Sequence, residues 1–194
     1  MNYPSKLHTF ILSAAVLFSA HLGRSNPGDF TVKSATDDKT FKLSDAKGKF
    51  VAVHFLLKTE CPFCLRHTRD YAQKSAGDSR VLQVFLKPDT DDEIKQWAAQ
   101  LGGEASKLAI YRDPDAKLAE AFGIPGGYKF HGQIVHYPAL VLLDPEGKEV
   151  FRYVGTNNTD RFSYEKFSAK LQELTQSSSP RHSWLRALTH AYRS

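Results

Sequence analysis

The chain has 194 residues, 41% hydrophobic and 24% charged, a balance that suits one soluble domain with tails and excludes a disordered or fibrous chain. Part of its net charge of +5 sits in Lys6 and Arg24 near the start and in Arg181, Arg186 and Arg193 near the end. With no basic stripe and interleaved aromatics, no nucleic-acid partner is expected. The two cysteines, Cys61 and Cys64, lie three positions apart. They are too few for a disulfide framework and short of the roughly four ligands of a structural zinc site, so no metal is expected.

Residues 1–25 read as a secretory signal. Lys6 and His8 give a short positive start, Phe10 to Ala20 is apolar, and Gly23-Arg24-Ser25 places small residues around a cleavage point near Ser25. The apolar run falls short of the roughly 20 residues of a membrane span. The expectation is an exported, periplasmic or secreted protein working in an oxidising compartment, with no stable span after cleavage.

Residues 26–176 form the expected domain. Phe30–Lys33 and Thr40–Leu43 read as a hairpin around Asp37-Asp38. Phe50–Leu57 is apolar on both faces, as a central strand should be. Cys64 to about Ala76 reads as a helix ending at Gly77. Arg80–Leu86 is a second buried strand, and Thr90-Asp91-Asp92-Glu93 caps a helix running to about Leu101. Leu108–Tyr111 is a short strand, and a helix follows over 115–122. A loop containing glycine and histidine is expected over 125–136, with His131 and His136 in it. Pro138 opens the strand 139–143. Asp144-Pro145-Glu146-Gly147 is a tight turn, and Glu149–Val154 returns. Phe167, Leu171 and Leu174 stand at helical spacing within a closing helix over 164–174. Ser177-Ser178-Ser179-Pro180 breaks that helix, and 177–194 is expected to be a basic, flexible tail.

A lone CxxC at a strand-to-helix corner reads as a redox pair. Three segments carry a wider resemblance: GKFVAVHFLLKTECPFC, RDPDAKLAEAFGI and YPALVLLDPEGKEVFRYVG. The stretch from about Gly28 to Gln176 resembles the thioredoxin-like superfamily, in the group of alkyl hydroperoxide reductase/thiol-specific antioxidant proteins and TlpA/ResA-like redoxins. The resemblance implies an α/β thioredoxin-like fold: a central mixed sheet flanked by helices, with an N-terminal β-hairpin. It implies no cofactor, protein thiols or disulfides as substrates, and a redox partner that recycles the cysteines.

In such a fold Cys61 sits at a helix N-terminus, where free N–H groups and the helix dipole favour a thiolate. Pro62 suits the first turn, because its missing N–H is not needed there. Cys61 is then the nucleophile and Cys64 the resolving thiol. By resemblance, Tyr137-Pro138 is the cis-proline segment facing the cysteines and contacting substrate; the plain alternative is a proline opening a strand. Pro62 and Phe63 complete the expected substrate contacts, and the family uses that dipeptide to tune potential. His54 interrupts the apolar strand behind the cysteines, either as a proton relay for Cys64 or as a satisfied core histidine. Lys58 and Glu60 flank Cys61 and tune its pKa or are solvated.

Peroxiredoxins place a Pro and a Thr before their reactive Cys and use a distant Arg, whose donors stabilise the displacement. Ungapped alignment puts that Cys on Cys64, the Thr on Cys61, the Pro on Leu57 and the Arg on Pro138. The three supporting residues are absent there. The expectation is therefore thiol–disulfide exchange, with a peroxiredoxin-like thiol peroxidase as the alternative and a non-catalytic binding module as the third reading.

Overall fold

The computed structural model describes residues 27–58 and 61–177. The expected signal segment, Glu60 and the tail beyond 177 lie outside the described residues. The elements in chain order are β1 (Thr31–Lys33), β2 (Thr40–Lys42), β3 (Phe50–Phe55), α1 (Pro62–Lys74), β4 (Val81–Lys87), α2 (Asp91–Ala98), β5 (Ile110–Arg112), α3 (Lys117–Ala121), β6 (Tyr128–Phe130), β7 (Gln133–Val135), β8 (Ala139–Leu143), β9 (Glu149–Val154) and α4 (Tyr164–Ser177).

Five strands form the central sheet in the order β5-β4-β3-β8-β9. The β3–β4 and β4–β5 pairs are parallel, and β3–β8 and β8–β9 are antiparallel. The sheet is therefore mixed, and β1–β2 is the expected N-terminal hairpin. Alternation along β3 divides the core into two layers. Ala52 packs with Tyr71 of α1, Ile94 and Trp97 of α2, and Phe167 and Leu171 of α4. Val51, Val53 and Phe55 pack with Phe122, Ala119 of α3 and the β1–β2 segment. Every residue of β3 is buried, as its two-sided apolar sequence requires.

α2 starts as expected. Thr90 N donates to Glu93 Oε2 at 2.9 Å and Glu93 N donates to Thr90 Oγ1, so the acidic run is a capping box. It ends at Ala98, short of Leu101. The 125–136 region differs most from expectation, because it holds the β6–β7 hairpin. Its strands are three residues each, and Gly126-Gly127 masks them by composition. His131 and Gly132 both have positive φ (47° and 76°), as a two-residue type I′ turn requires.

The Tyr137–Pro138 bond is trans, against the cis expectation, and no cis peptide occurs among the described residues. Trans is the intrinsic preference by about 0.5–1 kcal/mol. The trans segment is fixed on both sides, with Tyr137 N donating to Pro125 O at 2.9 Å and Gly155 N donating to Pro138 O at 2.8 Å.

Candidate active site

β3 ends below the N-terminus of α1, and Cys61 is the N-cap residue there. Its backbone is extended, and Pro62 takes the first helical position. Cys64 lies one turn on and is joined to Cys61 in a disulfide with Cα atoms 5.2 Å apart. Cys64 N donates to Cys61 Sγ at 3.1 Å. The N-cap side chain thus takes up one of the free N–H groups of the helix, an arrangement that favours a thiolate once the disulfide is reduced.

Arg161 is the residue beside the cysteines that sequence reasoning missed. It lies 97 positions beyond Cys64, and its Nη2 donates to Cys64 Sγ at 3.3 Å and to Cys61 Sγ at 3.5 Å. Burial pushes its pKa down to about 10, so the guanidinium stays charged at neutral pH. Its Nε is buried with no partner among the described residues.

Three tyrosines from three elements hold the segment that carries Arg161. Tyr153 of β9 donates to Asp160 Oδ1. Tyr128 of β6 accepts from Asn158 N at 2.9 Å, and Tyr71 of α1 donates to Phe162 O at 2.9 Å. Asp160 Oδ2 also accepts from Thr156 N and Oγ1, and Asn157 Oδ1 accepts from Thr159 N. Gly155 allows the close return of this segment, because a Cβ there would run into the Asp160 carbonyl and come within 3.1 Å of Pro138. No local motif announces such a loop. The run Thr-Asn-Asn-Thr-Asp before Arg161 reads only as turn chemistry.

Behind the cysteines, His54 is buried in a polar chain. His54 Nε2 faces Gln83 Oε1 at 2.8 Å, and His54 Nδ1 faces His67 Nε2 at 2.9 Å. With Gln83 Oε1 accepting, His54 carries its proton on Nε2 and His67 Nε2 donates to it. Burial lowers the His54 pKa to about 4. Burial, then the charges of His54 and Arg161, hold His67 well below its ordinary value. Both rings are neutral near pH 7. His67 lines a small cleft with Pro138, Asp160 and Arg161.

The remaining expected site residues divide. Pro138 is buried beside Arg161 in that cleft. Tyr137 is half-buried, with its ring 5.2 Å from that of Tyr128. Pro62 is exposed, and Phe63 is half-buried under the Arg66 guanidinium. Lys58 is half-buried, and its charge adds a small part to the lowering of the Glu93 carboxyl pKa, which the Thr90 hydrogen bonds mainly cause. His131 is exposed on the hairpin turn, whereas His136 is buried and its Nδ1 donates to Tyr137 O at 2.7 Å.

A second buried charge lies at the same end of the sheet. Lys87 Nζ donates to Leu57 O at 2.6 Å, pairs with Asp89 Oδ2 at 3.2 Å and stands 4.5 Å from the Trp97 ring centre. Burial pulls its pKa down to about 8. It fixes the chain where β3 leaves for Cys61.

The Redoxin family model matches residues 22–168. The chain belongs to the Redoxin family. A Mycobacterium tuberculosis protein named as a peroxiredoxin is 25% identical over 133 residues, which cover 66% of this chain and 83% of that protein. The exposed lipoprotein thioredoxin of Streptococcus pneumoniae is 27% identical with a TM-score of 0.55, over 75% of this chain and 98% of that one. A peroxiredoxin-like protein from Aquifex aeolicus has a TM-score of 0.63 at 18% identity, over 75% and 83% of the two chains, and is alike in fold. This redoxin is thus a thioredoxin-fold redox protein with a CxxC pair.

Proposed function

We propose that this redoxin is a thiol peroxidase that reduces hydroperoxides through Cys61 and Cys64. The observation that carries the reading is Arg161: a half-buried cation whose Nη2 faces both sulfurs while its buried Nε is unpartnered among the described residues. It supplies the donor that the ungapped alignment found missing at Pro138. The relatives named as peroxiredoxins support the same reading.

The Cys61 thiolate attacks one oxygen of ROOH. An S–O bond forms and the O–O bond breaks. Arg161 stabilises the negative charge that moves onto the leaving oxygen, which leaves as ROH after taking a proton. Cys64 then attacks the sulfur of the Cys61 sulfenic acid, water leaves, and the disulfide forms. An external thiol restores the dithiol by exchange. Two thiols and one ROOH give one disulfide, ROH and water.

The test is stopped-flow mixing of the reduced protein with hydrogen peroxide. One disulfide should form per peroxide, about 100-fold faster than free cysteine reacts at the same pH, the scale of one well-placed donor to a developing charge. In C64S, a sulfenic acid should be trapped on Cys61. A rate equal to that of free cysteine, with ready exchange on a protein disulfide, would instead establish the second reading. That reading, plain thiol–disulfide exchange, draws on the N-cap placement of Cys61 and the likeness to the pneumococcal thioredoxin. Export of the protein belongs to the same proposal. It rests on the segment 1–25 and on that exposed lipoprotein, and N-terminal sequencing of the mature protein tests it. No helix among the described residues is long and apolar enough to cross a membrane.

A further inference from the structure

A helix N-cap lies at the end of an element, where solvent normally reaches it. Here Cys61 is only 1% exposed and Cys64 is fully buried. The β6–β7 hairpin packs into the same core cluster. It stands apart from the central sheet and pairs only with itself. Its inner residues Phe130 (7% exposed) and Val135 (9%) are buried in the same cluster as both cysteines, and Tyr128 packs against that cluster. Its outer residue Ile134 is 66% exposed. Tyr128 also holds Asn158, three residues before Arg161. The chain leaves for the hairpin and returns at one neck, closed by Tyr137 N donating to Pro125 O. Gly126 and Gly127 follow the outgoing side of that neck.

We propose that the β6–β7 hairpin covers the Cys61–Cys64 site and restricts its reductants to low-molecular-weight thiols, shutting out protein thiols. Resting on the reading of a peroxide-oxidised disulfide, the inference names the class of molecule that completes the cycle. In exchange, a thiolate must approach one sulfur in line with the S–S bond. A small thiol needs only a slight opening at the edge of the hairpin. A protein thiol brings its own backbone and needs the whole hairpin lifted. The step balances with two equivalents of small thiol: the first forms a mixed disulfide and frees one cysteine, and the second releases the small disulfide and frees the other.

The experiment uses the full chain in its oxidised form and involves no peroxide, so its outcome is independent of the peroxidase test. Reduction by glutathione and by a reduced thioredoxin is followed in the wild type. It is then followed in a variant whose residues 127–135 are replaced by a short Gly-Ser linker across the neck. The ratio of the two rates cancels changes in intrinsic reactivity caused by losing Tyr128. The thioredoxin-to-glutathione ratio should rise at least about tenfold in the variant, as expected if the cover is open a tenth of the time or less. An unchanged ratio overturns the inference. A second measurement needs no variant. In the reduced wild type, a bulky polyethylene-glycol maleimide should label the cysteines at least about tenfold more slowly, relative to N-ethylmaleimide, than it does in urea. Equal relative labelling in the folded and unfolded protein overturns the inference even if the shortened variant fails to fold.

Discussion

Replacing Arg161 by methionine keeps most of the side-chain volume and removes the charge that faces the sulfurs. Its Nη2 lies 3.5 Å from Cys61 Sγ and 3.3 Å from Cys64 Sγ. A hydrogen bond to a charged group contributes about 1.5–3 kcal/mol net. One pKa unit corresponds to about 1.4 kcal/mol. Because Arg161 is half-buried, salt screens this interaction less than it would an exposed pair. Arg161 favours the thiolate over the thiol, so removing it raises the Cys61 pKa, by about 1–2 units. The Cys64 amide still donates to Cys61 Sγ, so part of the thiolate stabilisation survives. The thiolate fraction falls by about ten- to a hundredfold at any assay pH below the wild-type pKa, and by less at higher pH, and the peroxide rate falls with it. The pKa is read from the ultraviolet absorbance of the thiolate in reduced R161M, and the rate by stopped flow. R161K, which keeps the charge and loses the planar fork, should fall between the two. An unchanged thiolate pKa together with an unchanged peroxide rate in R161M would refute the role given to Arg161.

Gly155→Ala should force the Asp160 carbonyl and Pro138 away. It is expected to cost about 1–3 kcal/mol of stability and to shift the Cys61 pKa in the direction of R161M, measured by denaturation and by the same titration. His54 binds its proton far less readily when folded, with a pKa of about 4 against 6.5. The stability this neutral ring preserves is complete above pH 6.5 and is lost as pH falls towards 4, by about 3 kcal/mol across the window. Urea unfolding at pH 7 and pH 4.5 measures that loss together with the share of His67, and His54→Leu should reduce it to the His67 share. Lys87→Met leaves Asp89 without its buried cation and Leu57 O without its donor. A loss of about 3–5 kcal/mol in urea unfolding is expected.

The parts of the fold legible in the sequence are those set by local chemistry. The β3 run, the Thr90–Glu93 cap, the Asp144–Gly147 turn and the CxxC at the start of α1 are each written within a few adjacent residues, and each forms as expected. The β6–β7 hairpin was hidden because strands of three residues carry too little alternation to stand out from a loop. The supporting charge was hidden for a different reason. Arg161 reaches the sulfurs only after β9 and a seven-residue segment fold back across the sheet edge, and ungapped comparison looked for an arginine before β8, where Pro138 stands. The trans bond before Pro138 corrects an expectation carried over from a resemblance, since X-Pro sequence alone favours trans. His54 was singled out for its place in β3, but its partners His67 and Gln83 belong to α1 and β4 and become visible only in three dimensions.

The alternation along β3 also gives the reactive centre a memory of how the chain was assembled. His54 reaches His67 because it lies on the same side of the strand as Ala52, and its neighbours Val53 and Phe55 point into the opposite layer. A slip of one residue against β4 or β8 would exchange the two sets of side chains. An apolar group would then stand behind Cys64, and a polar imidazole would be pressed into the layer formed by Phe122 and Val141. A chain folded in the wrong register would therefore lack a working thiol pair. The fast peroxide reaction, measured on a refolding sample, would count correctly threaded molecules where circular dichroism, which sees strands in any register, would not.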